Sequence, residues 1–143
     1  MPAGVEIHAL APASFRGAVA VALRAPFALG TERARNQAYY AWEQVAAQAD
    51  VPAGGPDMML GLADDAVYVW KTSFGLGRPV ELAGTFPIAR IGAVAVARHG
   101  LLTSIALALI DGPVIEFEAI RGRKLRNFAR RLEATVTRRG GAP

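Results

Sequence analysis

The sequence contains no cysteine, and this absence excludes disulfide bonds, thiol catalysis and cysteine-based zinc sites. Histidine is also scarce, because only His8 and His99 are present and neither belongs to a His-x-x-x-His pattern or a His/Glu cluster. His8 lies in an irregular N-terminal segment, and His99 stands beside Gly100 in a predicted hairpin turn. Both are interpreted as exposed turn residues, so we expect no metal and no cofactor.

Long hydrophobic runs are missing as well. The stretch from Phe15 to Leu29 is interrupted by two arginines and a proline, and the stretch from Ile91 to Ile110 is interrupted at Arg98-His99-Gly100. A transmembrane helix needs about 20 consecutive apolar residues, so none is expected. The first residues lack a basic segment followed by an apolar core, which argues against a signal peptide. The predicted location is cytoplasmic, with peripheral contact to a membrane left open.

Signatures of catalysis are sparse. Asp64-Asp65 fits a tight turn, and Glu116 and Glu118 share one face of a predicted strand, which we interpret as the solvent face. The segment Gly75-Leu76-Gly77 leads into a proline and a strand-like run, whereas a dinucleotide-binding loop would lead into a helix. No serine lies in a Gly-x-Ser-x-Gly context. The sequence therefore predicts a protein that is not an enzyme.

The positive charge of the chain is concentrated in one place. The chain has 143 residues, a length typical of one domain, and it carries a net charge of +4. The segment from Arg121 to Arg139 holds eight of the 16 basic residues and, in Glu133, one of the 12 acidic residues. Such asymmetry indicates an element that can contact an anionic surface.

Residues 1–54 are predicted to form a helical N-terminal extension. Residues 1 to 12 look irregular. The spacing of apolar residues from Ala13 to Arg24 favours a short helix, although the alternation from Ala18 to Leu23 also permits a strand, and both alternatives stay open. Thr31 to Asp50 predicts a better amphipathic helix, followed by a connector rich in proline and glycine.

Residues 55–143 are predicted to form an antiparallel sheet and a final helix. Six segments have the composition or alternation of strands: Met58–Ala63, Val67–Thr72, Val80–Phe86, Ala93–Arg98, Leu101–Ile110 and Val114–Ala119. The last helix spans Gly122 to Arg138, with an apolar stripe on one side and arginines and a lysine on most of the other side.

Three short motifs resemble bacterial pleckstrin-homology-like (PH-like) and GRAM-like domains. They are the turn and aromatic strand from Leu62 to Trp70, the step Pro87-Ile88-Ala89-Arg90-Ile91, and the hairpin from Asp111 to Phe117. Alanine stands at positions 63 and 66, where the family's turn usually has threonine and arginine. The resemblance implies an α+β fold: a PH-like antiparallel β-barrel or strongly bent sheet, with N-terminal helices and a C-terminal helix that caps an open end.

The same resemblance implies a non-enzymatic binding or scaffold module whose partner is a protein or an anionic membrane surface. Lys71 and Arg78 flank the Ser73–Gly77 loop and resemble, though poorly, the headgroup-binding motif of some PH domains. The full candidate anion-binding set is Lys71, Arg78, Arg123, Lys124, Arg130 and Arg131. The alternative is nucleic-acid binding through the basic helix, which is less favoured because its only aromatic residue, Phe128, belongs to the apolar stripe.

Overall fold

A computed structural model of the chain describes residues 4–15, 31–55, 57–72 and 79–141. These residues form an α+β fold, as the sequence predicted. The elements are β1 (Ala9–Phe15), α1 (Thr31–Ala49), β2 (Asp57–Leu62), β3 (Ala66–Thr72), β4 (Pro79–Pro87), a 3-10 turn (Ile88–Arg90), β5 (Ile91–His99), β6 (Leu102–Leu109), β7 (Val114–Ile120) and α2 (Arg123–Gly141). The six predicted strands and the helices beginning at Thr31 and near Gly122 are thereby confirmed.

The described strands form one antiparallel sheet of seven strands in the order β4-β3-β2-β1-β7-β6-β5. The outer strands β4 and β5 are not hydrogen-bonded to each other, so the sheet is open rather than a closed barrel. Hairpins join β2 to β3, β3 to β4, β5 to β6 and β6 to β7. The strand β1, at the centre of the sheet, is not part of such a hairpin succession. It lies between β2 and β7, which are far apart in the sequence.

The strand β1 corrects the prediction for the N-terminal region. Residues 9–12 are not irregular and residues 13–15 are not helical, because Ala9 to Ser14 pair with β2 and Ser14 and Phe15 pair with β7. Ala11, Ala13 and Phe15 face the core in strict alternation. The rest of the predicted helix, residues 16–24, lies outside the described residues. The sheet thus includes a strand from segment 1–54, and the division into 1–54 and 55–143 stays a prediction.

The helix α2 buries its apolar stripe completely. Leu125, Phe128, Ala129 and Leu132 have no solvent exposure and belong to the hydrophobic core. The helix contacts β5, β6 and the central strand β1, so it packs on the core face of the β5–β7 half and of the middle of the open sheet. Burying three large side chains of this kind contributes roughly 1.5–3 kcal/mol each. The predicted C-terminal helix with an apolar stripe is therefore confirmed, whereas its role as the cap of a PH-like barrel stays a prediction.

The helix α1 packs beside β7 through its aromatic side chains. The Trp42 ring meets the Phe117 ring edge-on with centroids 5.4 Å apart, and Trp42 Nε1 donates a hydrogen bond of 2.7 Å to the Ala53 carbonyl. Tyr39 Oη donates a similar bond of 2.7 Å to the Gly54 carbonyl. Burial, and secondarily the nearby Glu43 carboxylate, raises the pKa of Tyr39. The connector after α1 is thus tied to the helix by two polar contacts.

The position of Glu118 differs from the sequence prediction. Glu116 is half-buried and Glu118 is only 3% exposed, so the two do not share an open solvent face. The reason is that β7 is an inner strand. Glu118 lies opposite Ser14 on one side and Ser104 on the other, so its neighbours shield it.

Arg90 fastens the C-terminal end of α1 to the sheet. Its guanidinium donates hydrogen bonds of 2.5 Å to the Ala49 carbonyl and 2.7 Å to the Asp50 carbonyl, and it lies 3.5 Å from the Asp111 carboxylate. The last carbonyls of a helix lack partners within the helix, and a cation there also interacts favourably with the helix dipole. Arg90 therefore stabilises α1 and is not available to an anionic ligand.

We expect Arg90→Ala to lower the free energy of unfolding by about 2 kcal/mol, because hydrogen bonds to charged groups contribute about 1.5–3 kcal/mol. Arg90→Lys should recover only part of this loss, since lysine keeps the charge but cannot donate to two carbonyls in the same fork. Chemical denaturation of both variants measures the difference. Arg98→Ala, at an exposed arginine, is the matched control and should change the free energy of unfolding little. Equal effects at positions 90 and 98 would contradict this role.

Candidate functional site

Of the predicted pair Lys71 and Arg78, the structure describes only Lys71, so the pairing of the two stays a prediction. Lys71 lies opposite Glu81 on the neighbouring strand, and its Nζ is 4.0 Å from the Glu81 carboxylate. The acid offsets part of the positive charge that an anion would need. Arg78 and the Ser73–Gly77 loop lie outside the described residues. The described part of this predicted site therefore offers one lysine with an acidic neighbour.

The predicted basic residues of α2 lie at different levels of the helix. Arg123 and Lys124 begin it, whereas Arg130 and Arg131 follow about two turns later, about 10 Å along the axis at 1.5 Å per residue. All four are exposed. Among the described residues, no basic side chain of α2 forms an ion pair with a carboxylate. Within the described part of the chain, the positive charge of this helix is thus not offset by paired carboxylates.

The start of α2 meets the β5–β6 turn. The Arg121 backbone N–H donates a hydrogen bond of 2.7 Å to the Leu101 carbonyl, and Leu102 lies opposite Ile120 in the sheet. The two chain segments therefore form one protruding end of the molecule. We call this end the basic tip, and its members are Arg98, His99, Leu101, Ile120, Arg121, Arg123 and Lys124.

The basic tip combines positive charge with exposed aliphatic side chains. Leu101 is 66% exposed and Ile120 is 49% exposed. The segments that build the tip contain no acidic residue, either between residues 91 and 110 or between residues 119 and 132. Exposed apolar residues are common on protein surfaces one at a time. Here, two exposed aliphatic residues accompany four cationic residues, and the same segments contain no acid. This combination makes the tip a distinct surface.

Unusual backbone conformations shape the tip. Gly100 has φ of 62° in the β5–β6 turn, and Arg121 has φ of 51° at the junction between β7 and α2. A left-handed conformation costs a non-glycine residue about 1–2 kcal/mol, so Arg121 is held there by its surroundings. Gly122 is also constrained, because a Cβ atom at this position would lie 2.8 Å from the Thr103 Cβ. This close approach presses the start of α2 against β6.

Sequence reasoning found two members of the tip and missed the others. Arg123 and Lys124 were predicted as anion-binding residues, but Leu101, Ile120 and Arg121 were not considered together with them. The missing signal was the register between β6 and β7. Pairing Leu102 with Ile120 follows from the hairpin at Asp111-Gly112, and it would have placed the two segments side by side.

A second basic region lies at the other end of α2. A cleft of about 610 Å³ is lined there by His8, Asp64, Arg131, Thr135 and Arg138, among others. His8 Nε2 is 2.5 Å from the Asp64 carboxylate, and Arg131 donates a hydrogen bond of 2.5 Å to the His8 carbonyl. Arg139 donates to the Asp64 carbonyl at 2.9 Å. Arg139 thus ties α2 to the β2–β3 turn and Arg131 ties it to the segment before β1, so this cleft is chiefly a structural joint.

No protein-family model matches the chain, and no curated protein matches it. Among the residues that the structure describes, no group of three or more histidine, aspartate or glutamate side chains could hold a metal ion. Within the same residues, no helix is long and apolar enough to cross a membrane. The candidate site is therefore argued from the geometry of the basic tip alone.

Proposed function

We propose that this protein is a non-enzymatic PH-like binding module that docks on an anionic membrane surface through its basic tip. The observation that carries the proposal is the exposure of Leu101 and Ile120 in two adjoining segments that contain the four cationic residues of the tip and no acid. The PH-like part is supported by the succession of antiparallel strands followed by a helix that packs on β1, β5 and β6 of the open sheet.

The charge of the tip suits an anionic bilayer. A lysine or arginine near such a surface contributes about 1 kcal/mol of binding free energy. Arg98, Arg121, Arg123 and Lys124 together therefore supply about 4 kcal/mol at low ionic strength, by the same rule. This attraction weakens with salt, because the screening length falls from about 30 Å at 0.01 M to about 8 Å at 0.15 M.

The aliphatic side chains favour a membrane over a nucleic acid. Leu101 and Ile120 can enter the boundary between headgroups and acyl chains, where burying an aliphatic side chain contributes about 1.5–3 kcal/mol. Single-stranded nucleic acid is instead bound by stacking bases on aromatic rings. Phe128, the one aromatic residue of α2, is fully buried. The basic helix therefore lacks the aromatic platform that RNA binding favours.

We expect binding to vesicles of phosphatidylcholine and phosphatidylserine, measured by co-sedimentation at low and physiological salt. Replacing Arg123 and Lys124 by alanine should weaken binding about 30-fold, since two charges near the surface are worth about 2 kcal/mol. Leu101→Ser should weaken it about tenfold or more through the lost apolar insertion. Arg121→Gly should also weaken binding while leaving the fold at least as stable, because glycine relieves the left-handed backbone.

The control is Arg138→Ala, which removes the same charge at the far end of α2 and should have little effect. If Arg138→Ala weakened binding as much as Lys124→Ala, the net charge of the protein rather than the basic tip would account for the binding. The double variant Lys71→Ala/Arg78→Ala tests the Ser73–Gly77 loop, and it should bind like the parent protein. Absence of binding to acidic vesicles at low salt would refute the membrane proposal and leave a protein partner. Displacement from vesicles by single-stranded RNA at equal charge would favour the nucleic-acid alternative.

A further inference from the structure

The strand β5 forms one edge of the sheet, and most of its side chains beyond Ile91 are exposed. Among the described residues it pairs only with β6. Ala93, Ala95, Val96 and Ala97 are exposed, and Val96 retains 41% of its surface. The pairing with β6 is regular from Ala93 to His99, so the free side of β5 presents a straight row of backbone donors and acceptors.

The opposite edge of the sheet has protective features that β5 lacks between Ala93 and Ala97. The strand β4 begins at Pro79 and ends at Pro87, and its pairing with β3 is interrupted by two register shifts. Gly84 within β4 also has a positive φ of 156°. Prolines, bulges and charges are the features by which proteins prevent an edge strand from pairing with another chain. Between Ala93 and Ala97, β5 has none of them.

The sequence of β5 is symmetric about Ala95. Reading outward from this residue gives valine at 94 and 96, then alanine at 93 and 97. If two copies pair antiparallel about a two-fold axis at Ala95, Val94 meets Val96 of the second copy on one face and Ala93 meets Ala97 on the other. Directly opposed apolar residues of this kind stabilise a strand pair by about 0.2–1 kcal/mol each.

We propose that β5 pairs with β5 of a second copy of this chain to form a symmetric dimer with one continuous sheet. The same surface of each copy then contacts itself, which is the commonest arrangement for a soluble dimer. The interface covers Val96 and completes the open row of backbone groups on both chains.

The charges agree with this register. Arg98 is the only charged residue of β5 other than the titratable His99, and it falls opposite Gly92 of the second copy, where no side chain competes for space. The two arginines lie on opposite sides of the axis, about 20 Å apart along the strands at about 3.4 Å per residue. No like charges are brought together.

The absence of native cysteine makes the register directly testable by cross-linking. Ala95→Cys places two thiols on the axis, where opposed Cα atoms are about 4.5–5.5 Å apart, within the range of a disulfide. Ala93→Cys is the matched control, because its two copies lie about 14 Å apart along the strands and cannot bridge within the dimer. Under mild oxidation we expect Ala95→Cys to become a covalent dimer and Ala93→Cys to remain largely monomeric. Equal cross-linking of both variants, or of neither, would overturn the proposal.

Sedimentation equilibrium of the intact protein gives the second measurement. We expect a species of twice the 15.1 kDa chain mass to increase with protein concentration. Ala95→Lys should reduce this species to the monomer, since it sets two lysines against each other at the axis. Thr85→Lys adds the same charge at an exposed position of β4 and should leave the dimer intact. Circular dichroism establishes that both variants are folded. A protein that stays monomeric at every concentration, or an Ala95→Lys variant that still dimerises, would refute the pairing.

Discussion

A chain that begins at residue 55 is expected not to fold. This truncation removes β1 from the centre of the sheet and separates the β2–β4 half from the β5–β7 half. It also removes Phe15 and Trp42, which are both buried in the core. The remaining halves would each expose a long strand edge, and three-stranded pieces of this size are marginal without a covered apolar face. We expect a collapsed or aggregated fragment with poor dispersion in its amide NMR spectrum.

Two controls distinguish the loss of β1 from a general effect of shortening. Deleting residues 1–6 should leave the fold intact, because the pairing of β1 begins at Ala9 and the contact of 3.9 Å between Glu6 and His8 is exposed. Mixing the fragments 1–54 and 55–143 should restore a dispersed spectrum, since β1 can then insert between β2 and β7. Cooperative unfolding of fragment 55–143 by itself would show that the division of the chain at residue 54 marks an independent unit.

Phe117→Ala should lower the free energy of unfolding by about 3–5 kcal/mol, the usual range for removing a large buried aromatic side chain. Phe117 is 1% exposed and lies opposite Phe15 of β1 and Ile105 of β6. Its ring also meets Trp42 of α1. The loss therefore leaves a cavity at the point where the two halves of the sheet and α1 converge. Urea denaturation measures the change, and Phe117→Leu, which keeps most of the volume, should lose clearly less.

A double-mutant cycle with Trp42→Ala tests the contact between α1 and the sheet. Aromatic pairs in contact contribute about 0.5–1.5 kcal/mol beyond the area that they bury. The two substitutions should therefore be non-additive by at least this amount, since removing either ring already removes their mutual contact. Strict additivity would mean that α1 is not packed on β7 in solution, and the described position of the helix would need revision.

The parts of the fold that sequence predicts well are those fixed by local pattern. The stripe of Leu125, Phe128 and Leu132 has helical spacing, and only a helix buries all three. The turns at Asp64-Asp65 and Asp111-Gly112 mark hairpins through residues that favour tight turns. In both cases neighbouring residues carry the whole signal, and the structure agrees with the prediction.

The parts that sequence missed depend on partners far along the chain. The segment from Ala9 to Phe15 contains three alternating alanines, a proline and a phenylalanine, which give no strong strand signal. It becomes a strand because β2 and β7 supply hydrogen bonds on both sides. Glu118 was misplaced for the same reason, since an alternating strand indicates two faces but not that one of them is shielded by neighbours.

The candidate site likewise has a part that local sequence predicts and a part that depends on distant partners. The basic character of α2 follows from counting residues, and Arg123 and Lys124 were identified in this way. The contribution of Leu101 and Ile120 follows only from the pairing of β6 with β7 and from their exposure in the structure. Conversely, Arg131 looked like a free cation in the sequence, whereas its guanidinium is hydrogen-bonded to the His8 carbonyl.

The central position of β1 also bears on how the chain reaches its folded state. Ser14 pairs with Glu118, roughly 100 residues further along, so the sheet stays in two unconnected halves until β7 has been synthesised. Closing so long a loop costs conformational entropy before any contact compensates for it. During synthesis on the ribosome, β1 and β2 therefore keep an exposed strand edge until the rest of the chain has emerged. Refolding should be slow for a protein of this length, and the nascent chain is a natural client for chaperones that shield unpaired strands.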